Sequence, residues 1–124
     1  MIHVCLYYQD HRDNYNNIDV KIPYYTSDED YLARIKQEFV PRAKAFKPDY
    51  IFWEFGYDVT QGEYGSKDLT KDCHLKLVEF IKGVADGVCH DRLITILCGG
   101  SGRALVTYTI PRIIRCLAEL GDYQ

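Results

Sequence analysis

The chain has 124 residues, of which 47% are hydrophobic and 27% charged, and its formal net charge is −3. This predicts a single soluble domain over residues 1–124, and the scattered charges and short apolar runs argue against nucleic acid and membranes as partners. The cysteines are widely spaced without a CxxC pair, which indicates reduced thiols in a cytoplasmic protein rather than disulfides or a cysteine zinc site.

The first part of the chain predicts two short strands separated by a loop. Residues 2–8 form a short apolar run, and residues 18–22 alternate apolar and polar side chains before Pro23. Residues 9–17 are polar and rich in Asn, which is typical of a loop.

A helix is predicted after Ser27, which can cap it while Asp30 reaches back to the cap. Apolar residues recur at helical spacing on one face: Tyr31, Leu32, Ile35, Phe39, Ala43 and Phe46. Pro41 predicts a kink or a division of this helix.

The second half alternates strands and helices. Residues 50–55 form an apolar run that predicts a central strand covered on both faces, and residues 92–98 predict another buried strand. Thr70 is the expected cap of the intervening helix, and a last helix, disturbed by Pro111, follows a glycine loop. This order predicts an α/β fold with three layers, α/β/α, a mainly parallel sheet and right-handed crossovers.

Two segments lie at the carboxyl ends of strands, where open α/β sheets bind ligands. In the first, Asp58 is either a carboxylate that fixes its turn, or a metal ligand or base that needs partners from elsewhere. The second, Gly99–Gly102, is either a tight turn or a phosphate cradle, although it matches neither a P-loop nor a dinucleotide fingerprint. The four histidines lack metal-ligand spacing, which favours surface or core positions for them.

Several motifs occur in a familiar order: Ala45–Phe52, Phe55–Asp58, Gly62–Gly65, Leu69–Thr70 and Leu97–Gly100, preceded by Asn17–Pro23. Together they resemble the histone deacetylase family, which includes acetoin-utilisation proteins and acetylpolyamine amidohydrolases. The resemblance implies the C-terminal half of an arginase/deacetylase fold, from a zinc-dependent hydrolase of acetyl-lysine or acetylpolyamine amides.

By this resemblance, Asp58 corresponds to the last of three zinc ligands, whereas the other two, and the paired histidines that activate water, would lie upstream of Met1. Gly102 stands at the place of the family's tyrosine, and Arg103 beside it is a speculative electrophile. The acid of the G-D-x-x-G motif is Glu63 here. The implied substrate-lining residues are Gly56, Tyr57, Gly99, Gly100, Ser101 and Gly102.

The resemblance therefore implies a chain that is inactive alone, with zinc expected only when a second chain completes the site. Three functions stay open: half of an enzyme, a non-catalytic binding or scaffold remnant, and a flavodoxin-like phosphate binder. Cutting such a sheet exposes apolar edges and faces, so we expect a homo-oligomer or a complex with a chain that carries the N-terminal half.

Overall fold

The structure, a computed structural model, describes residues 1–7, 11–13 and 17–121, with only the backbone described at residues 7 and 11–13. Its elements, in chain order, are β1 (His3–Tyr7), β2 (His11–Asp13), β3 (Asn17–Lys21), α1 (Asp28–Phe46), β4 (Ile51–Phe55), a 3-10 turn (Tyr57–Val59), α2 (Cys73–Cys89), β5 (Leu93–Leu97) and α3 (Arg103–Leu117).

The strands form two sheets. In the first, β3 lies between β1, to which it is parallel, and β2, to which it is antiparallel. In the second, β4 and β5 are parallel, with Ile51 opposite Leu93 and Phe55 opposite Leu97. The predicted mainly parallel α/β class is confirmed, but the described strands do not join into one sheet.

The predicted loop over residues 9–17 contains strand β2 and the first residue of β3, so that prediction is wrong at residues 11–13 and at Asn17. Residues 8–10 and 14–16 lie outside the described part. The segment is polar, and its extended form comes from backbone pairing with β3. Pairing of this kind overrides the local turn preference of Asp and Asn.

Helix α1 begins as predicted, because the Ser27 hydroxyl accepts a hydrogen bond from the Asp30 N–H at 3.1 Å. The helix is not divided at Pro41, which is exposed, and it runs on to Phe46. It ends where Lys47 adopts a left-handed conformation and its N–H donates to the Ala43 carbonyl at 3.0 Å.

Helix α2 is preceded directly by Asp72 rather than by the predicted cap Thr70, although the Thr70 hydroxyl accepts a hydrogen bond from the Asp72 N–H at 3.3 Å. Thr70 also has a second set of contacts. Its N–H and hydroxyl both donate to the carboxylate of Asp28, at 3.0 and 2.6 Å. Asp28 is buried at the start of α1 and therefore needs these donors. This contact ties the first helix to the segment that leads into the second.

The helices lie on one side of the β4–β5 sheet. One core cluster joins α1, α2 and β4; its buried members are Ile22, Tyr31, Ile35, Ile51, Leu69, Cys73, Leu77, Ile81, Ala85 and Cys89. A second joins β4, α2 and α3 through Phe55, Tyr57, Val78 and Ile113. Trp53 packs against both clusters, so the odd-numbered side chains of β4 face the helices.

The opposite face of this sheet is uncovered by the described residues. Phe52 is 62% exposed, and Ile94 and Ile96 on β5 are 42% and 43% exposed. The expectation that residues 50–55 are covered on both faces is therefore wrong for this chain. Residues 92–98, expected to be buried, are exposed or only partly buried. Within the described residues, none of the helices has the length and apolar character needed to cross a membrane.

Candidate functional site

The ends of β4 and β5 bring the two sequence-predicted segments together. The Cys98 N–H donates to the Phe55 carbonyl at 2.8 Å, and the Tyr57 N–H donates to the Gly99 carbonyl at 3.0 Å. These bonds extend the parallel pairing beyond the strands, so the Gly56–Asp58 turn lies directly against the glycine loop.

Asp58 occupies a space lined by three glycines. A Cβ atom added to Gly56 or to Gly99 would stand 2.5 Å from Asp58 Oδ1, and one added to Gly65 would stand 2.8 Å from Oδ2. The backbone closes round the residue as well, because the Gly65 N–H donates to the Asp58 carbonyl at 3.1 Å. The carboxylate is half-buried and accepts no hydrogen bond from the described residues, so its oxygens are available to a ligand.

Glu63 and Tyr64, in the loop that follows Asp58, hold the glycine loop. Glu63 Oε2 accepts hydrogen bonds from the Ser101 N–H at 2.9 Å and from its hydroxyl at 3.1 Å. The Tyr64 hydroxyl oxygen accepts from the Gly100 N–H at 3.3 Å. Two backbone donors that a bound phosphate would need are thus already used by this chain's own side chains.

Gly100 packs against the ring of the buried Tyr57, so closely that a Cβ at this position would overlap the ring. Its φ of 119° also lies in a region that side chains disfavour. Position 100 therefore requires glycine on two independent grounds. Gly102 is less restricted, because the atom that a Cβ there would overlap is Oε1 at the end of the flexible Glu63 side chain, and its φ is −68°.

Two buried titratable side chains, His74 and Tyr31, are influenced by residues of this turn. His74, near the start of α2, is 2% exposed and packs edge-on against Phe55 with ring centroids 5.0 Å apart. Burial lowers the pKa of His74 to about 4, although the Gly56 backbone and Asp28 act in the opposite direction. Burial also raises the pKa of Tyr31 on α1, and the charge of Asp58 adds to this shift.

The remaining sequence-predicted site residue is Arg103, the first residue of α3, whose side chain is exposed. The described residues do not place three or more His, Cys, Asp or Glu side chains where they could share a metal ion. Asp58 accepts no hydrogen bond from the described residues, but Glu63 is engaged with Ser101. The described residues therefore do not fit a catalytic zinc site by themselves, since such a site takes about three protein ligands.

A family model, the histone deacetylase domain, matches residues 7–117. The chain belongs to the histone deacetylase family. Histone deacetylase 6 of Caenorhabditis elegans is 28% identical over 99 residues, which are 79% of this chain and 10% of that protein. Histone deacetylase 8 of Arabidopsis thaliana is 28% identical over 107 residues, 86% of this chain and 28% of that protein.

Solved structures agree on the fold of this deacetylase-family chain. The histone deacetylase Clr3 superposes with a TM-score of 0.72 at 16% identity, over 88% of this chain and 18% of Clr3. An acetylpolyamine aminohydrolase from Burkholderia pseudomallei gives a TM-score of 0.70 at 17% identity, over 85% of this chain and 29% of its own. The chain thus has part of the arginase/deacetylase fold and spans less than a third of the relatives it matches.

Sequence reasoning found Asp58 and the glycine loop but missed the contacts that hold them in the deacetylase-type turn. Glu63 was noted only as a changed acid, and Tyr64 only as part of a motif. Glu63 and Tyr64 follow Asp58 closely in the chain and have a glycine on each side. This pattern was the feature of the sequence that could have indicated their contacts with the glycine loop. No signal in the sequence pointed to His74 as the residue beneath the turn.

Proposed function

We propose that this chain is the C-terminal part of a zinc-dependent amide hydrolase domain and that it supplies Asp58 as one of the metal ligands. The observation that carries this proposal is the half-buried Asp58 carboxylate, enclosed by glycines and free of described hydrogen-bond donors, in a member of the histone deacetylase family. A carboxylate held in this way can bind a cation without losing another partner.

The proposal includes inactivity of the chain alone. Hydrolysis by such a site requires a metal-bound water, a base and an oxyanion stabiliser in one place.

We place residues 1–124 in a cytoplasmic protein, as one part of a larger domain. Five free thiols support the cytoplasmic assignment. The remaining ligands would come from the rest of the domain, and the substrates would be acetyl-lysine or acetylpolyamine amides. Arg103 beside Gly102 would then be the electrophile.

The test measures zinc and amidase activity in the chain alone and in the chain co-expressed with the segment encoded immediately upstream. Zinc is measured by mass spectrometry, and activity with an acetyl-lysine peptide and with acetylputrescine. We expect neither in the chain alone and both in the complex, with both lost in Asp58→Asn.

Asp68→Asn is the matched control, because Asp68 is exposed in the same loop and its positive φ suits Asn. Stoichiometric zinc and activity in the chain alone would contradict the proposal.

A complex that forms without zinc would favour the second candidate function, a non-catalytic remnant that binds or scaffolds. That candidate is supported by the glycine at position 102, where the family resemblance leads one to expect a tyrosine.

The third possibility, a flavodoxin-like phosphate binder, is disfavoured by the site itself. The N–H groups of Gly100 and Ser101 donate to Tyr64 and Glu63, and the Glu63 carboxylate occupies the position that an anion would take. Its charge would also repel a phosphate.

A further inference from the structure

The phenol of Tyr64 lies over the glycine loop at the ends of β4 and β5. Tyr64 is 73% exposed, so its ring is outside the core and can be reached by a molecule that approaches the ends of the strands. The hydroxyl oxygen accepts a hydrogen bond from the Gly100 N–H at 3.3 Å. A phenol oxygen that accepts a hydrogen bond keeps its own proton available for donation.

The phenol and the Asp58 carboxylate lie in front of the same backbone atom. A Cβ atom added to Gly99 would stand 2.5 Å from Asp58 Oδ1 and 3.4 Å from the Tyr64 hydroxyl oxygen. The absence of a side chain at position 99 therefore allows both polar groups to occupy one small region. A molecule that is bound at the carboxylate would also meet the phenol.

The backbone is fixed on both sides of Tyr64. The N–H of Glu63 donates to the Thr60 carbonyl at 3.1 Å, and the N–H of Gly65 donates to the Asp58 carbonyl at 3.1 Å. Tyr64 is thus held between two anchored neighbours, one of which is bonded to Asp58 itself. The loop of this chain sets the position of the phenol relative to the carboxylate.

Other hydrogen-bond donors of the glycine loop are already used. The Ser101 N–H and hydroxyl donate to Glu63, and the Gly100 N–H donates to Tyr64. Among the described residues, none accepts a hydrogen bond from the Tyr64 hydroxyl. The bond that the phenol oxygen accepts strengthens its O–H as a donor, because hydrogen bonds in a chain polarise one another. The Tyr64 hydroxyl is therefore a donor that is oriented before a ligand binds.

We infer that the Tyr64 hydroxyl donates a hydrogen bond to the acyl oxygen of an amide substrate at Asp58 and is a catalytic residue. This inference deepens the proposed function and rests on it for the reaction. When water adds to the acyl carbon, a C–O bond forms and an electron pair of the C=O bond moves to the acyl oxygen. Tyr64 keeps its proton and stabilises this negative charge. When the pair returns, the C–N bond breaks and the amine leaves with a proton that came from the water.

Tyr64 would act together with Arg103, to which the proposed function gives the role of electrophile. Arg103 begins α3, and its exposed side chain has no described contact with Asp58. A guanidinium there would supply positive charge, whereas the phenol supplies a directed hydrogen bond. Sites that stabilise an oxyanion use such preorganised donors, and the loss of one is measurable.

The first test does not depend on zinc. The probe is an acetyl-lysine peptide with ¹³C at the acetyl carbonyl, added in the presence of EDTA to the chain alone and to its complex with the segment encoded immediately upstream. A donated hydrogen bond withdraws electron density from the carbonyl carbon, so we expect its ¹³C resonance to move downfield on binding. Most of this shift should be lost in Tyr64→Phe.

The second test is kinetic and uses the zinc-loaded complex. Tyr64→Phe should lower kcat by about 100-fold or more, because the hydrogen bond is strongest when the acyl oxygen is charged. KM should change less than about threefold, which separates this role from substrate binding alone. Tyr50→Phe is the matched control, since Tyr50 is 52% exposed and precedes the opposite end of β4. It should change neither kcat nor the ¹³C shift.

The outcomes distinguish this inference from the proposed function. A ¹³C shift that depends on Tyr64, in a complex without zinc or activity, supports the contact with the acyl oxygen and contradicts the proposed function. An active complex in which Tyr64→Phe leaves kcat unchanged, or raises only KM, overturns the inference and leaves the proposed function intact. A ¹³C shift that is equal in Tyr64→Phe and in the unmodified protein, or absent from both samples, also overturns the inference.

Discussion

Asp58 is surrounded by backbone rather than by side chains. Gly56, Gly65 and Gly99 approach its two oxygens so closely that any larger residue would displace the carboxylate. Most carboxylates at this depth acquire a hydrogen-bond partner, because burial without one is unfavourable. The Asp58 carboxylate therefore remains free to bind a ligand at the carboxyl ends of the strands. Its location there could be predicted from the sequence, because ligands of open α/β sheets bind at the carboxyl ends of strands.

His74 allows a prediction on pH. Its pKa is lowered from 6.5 to about 4 by burial, so the unfolded chain binds this proton first as the pH falls. The free energy of unfolding should therefore decrease between pH 6.5 and 4, by up to about 3 kcal/mol from this group, and level off below that range. Urea unfolding measured across this interval gives the slope.

The variant His74→Phe should have a flatter slope than the unmodified chain over the same pH range. His90→Asn serves as the control, because His90 is exposed and adopts a left-handed conformation that Asn accepts. An NMR titration of the unmodified chain reports the pKa of His74 directly. A value near 6.5 would show that His74 is not buried as described.

At the scale of elements, the start of α1 is attached to the segment before α2 through Asp28. Its carboxylate accepts both hydrogen bonds from Thr70, and Lys76 Nζ lies 3.9 Å away. Asp28→Ala should lower the free energy of unfolding by about 2–3 kcal/mol, because the Thr70 N–H and hydroxyl lose a buried, charged acceptor. Chemical denaturation measures the change.

Two further variants separate the contributions. Thr70→Val removes only the hydroxyl and should cost about 1 kcal/mol. Glu29→Ala removes an exposed acidic residue from the same first turn and should cost about 0.5 kcal/mol or less. Equal losses for Asp28→Ala and Glu29→Ala would mean that the carboxylate acts only on the helix dipole.

The elements also show what a sequence can and cannot predict. The cap at Ser27 was correct, and so was the stripe along α1 from Tyr31 to Ala43, because both depend on neighbours in the chain. Phe46, at the end of the predicted stripe, is exposed.

Four of the five described strands were located correctly, and β2 was missed because its residues are polar and pair only through the backbone. The apolar runs of residues 50–55 and 92–98 also predicted more burial than the strands have. Phe52 and Ile94 are apolar, yet they are 62% and 42% exposed. The contact of Glu63 with Ser101 joins residues 38 apart, and no local pattern reveals it.

At the scale of the whole molecule, the reactivity of the cysteine thiols measures whether the hydrophobic core excludes solvent. Cys73 is 0% exposed and Cys98, beside the glycine loop, is exposed. Burial, followed by the charge of Asp28, raises the pKa of Cys73 to about 12, so its reactive thiolate is rare at neutral pH. Iodoacetamide should modify Cys98 rapidly in the native chain and Cys73 only after unfolding.

Mass spectrometry of timed samples, with and without urea, measures both rates. In Cys98→Ser the rapid reaction should disappear while the slow labelling of Cys73 is unchanged. Native labelling of Cys73 as rapid as that of Cys98 would show that the isolated chain does not keep the α1–α2 core closed.

The single helix layer has a consequence for assembly. α1 and α2 fix β1 and β4 from one side, through Leu6, Ile51 and the Asp28–Thr70 attachment, without any pairing between those strands. A receptor ordered in this way before its ligand arrives loses little conformational entropy on binding. In the complex proposed above, the rest of the domain would bear most of the loss of conformational entropy. The affinity of that complex should therefore respond more to stiffening of the rest of the domain than to further stabilisation of this chain.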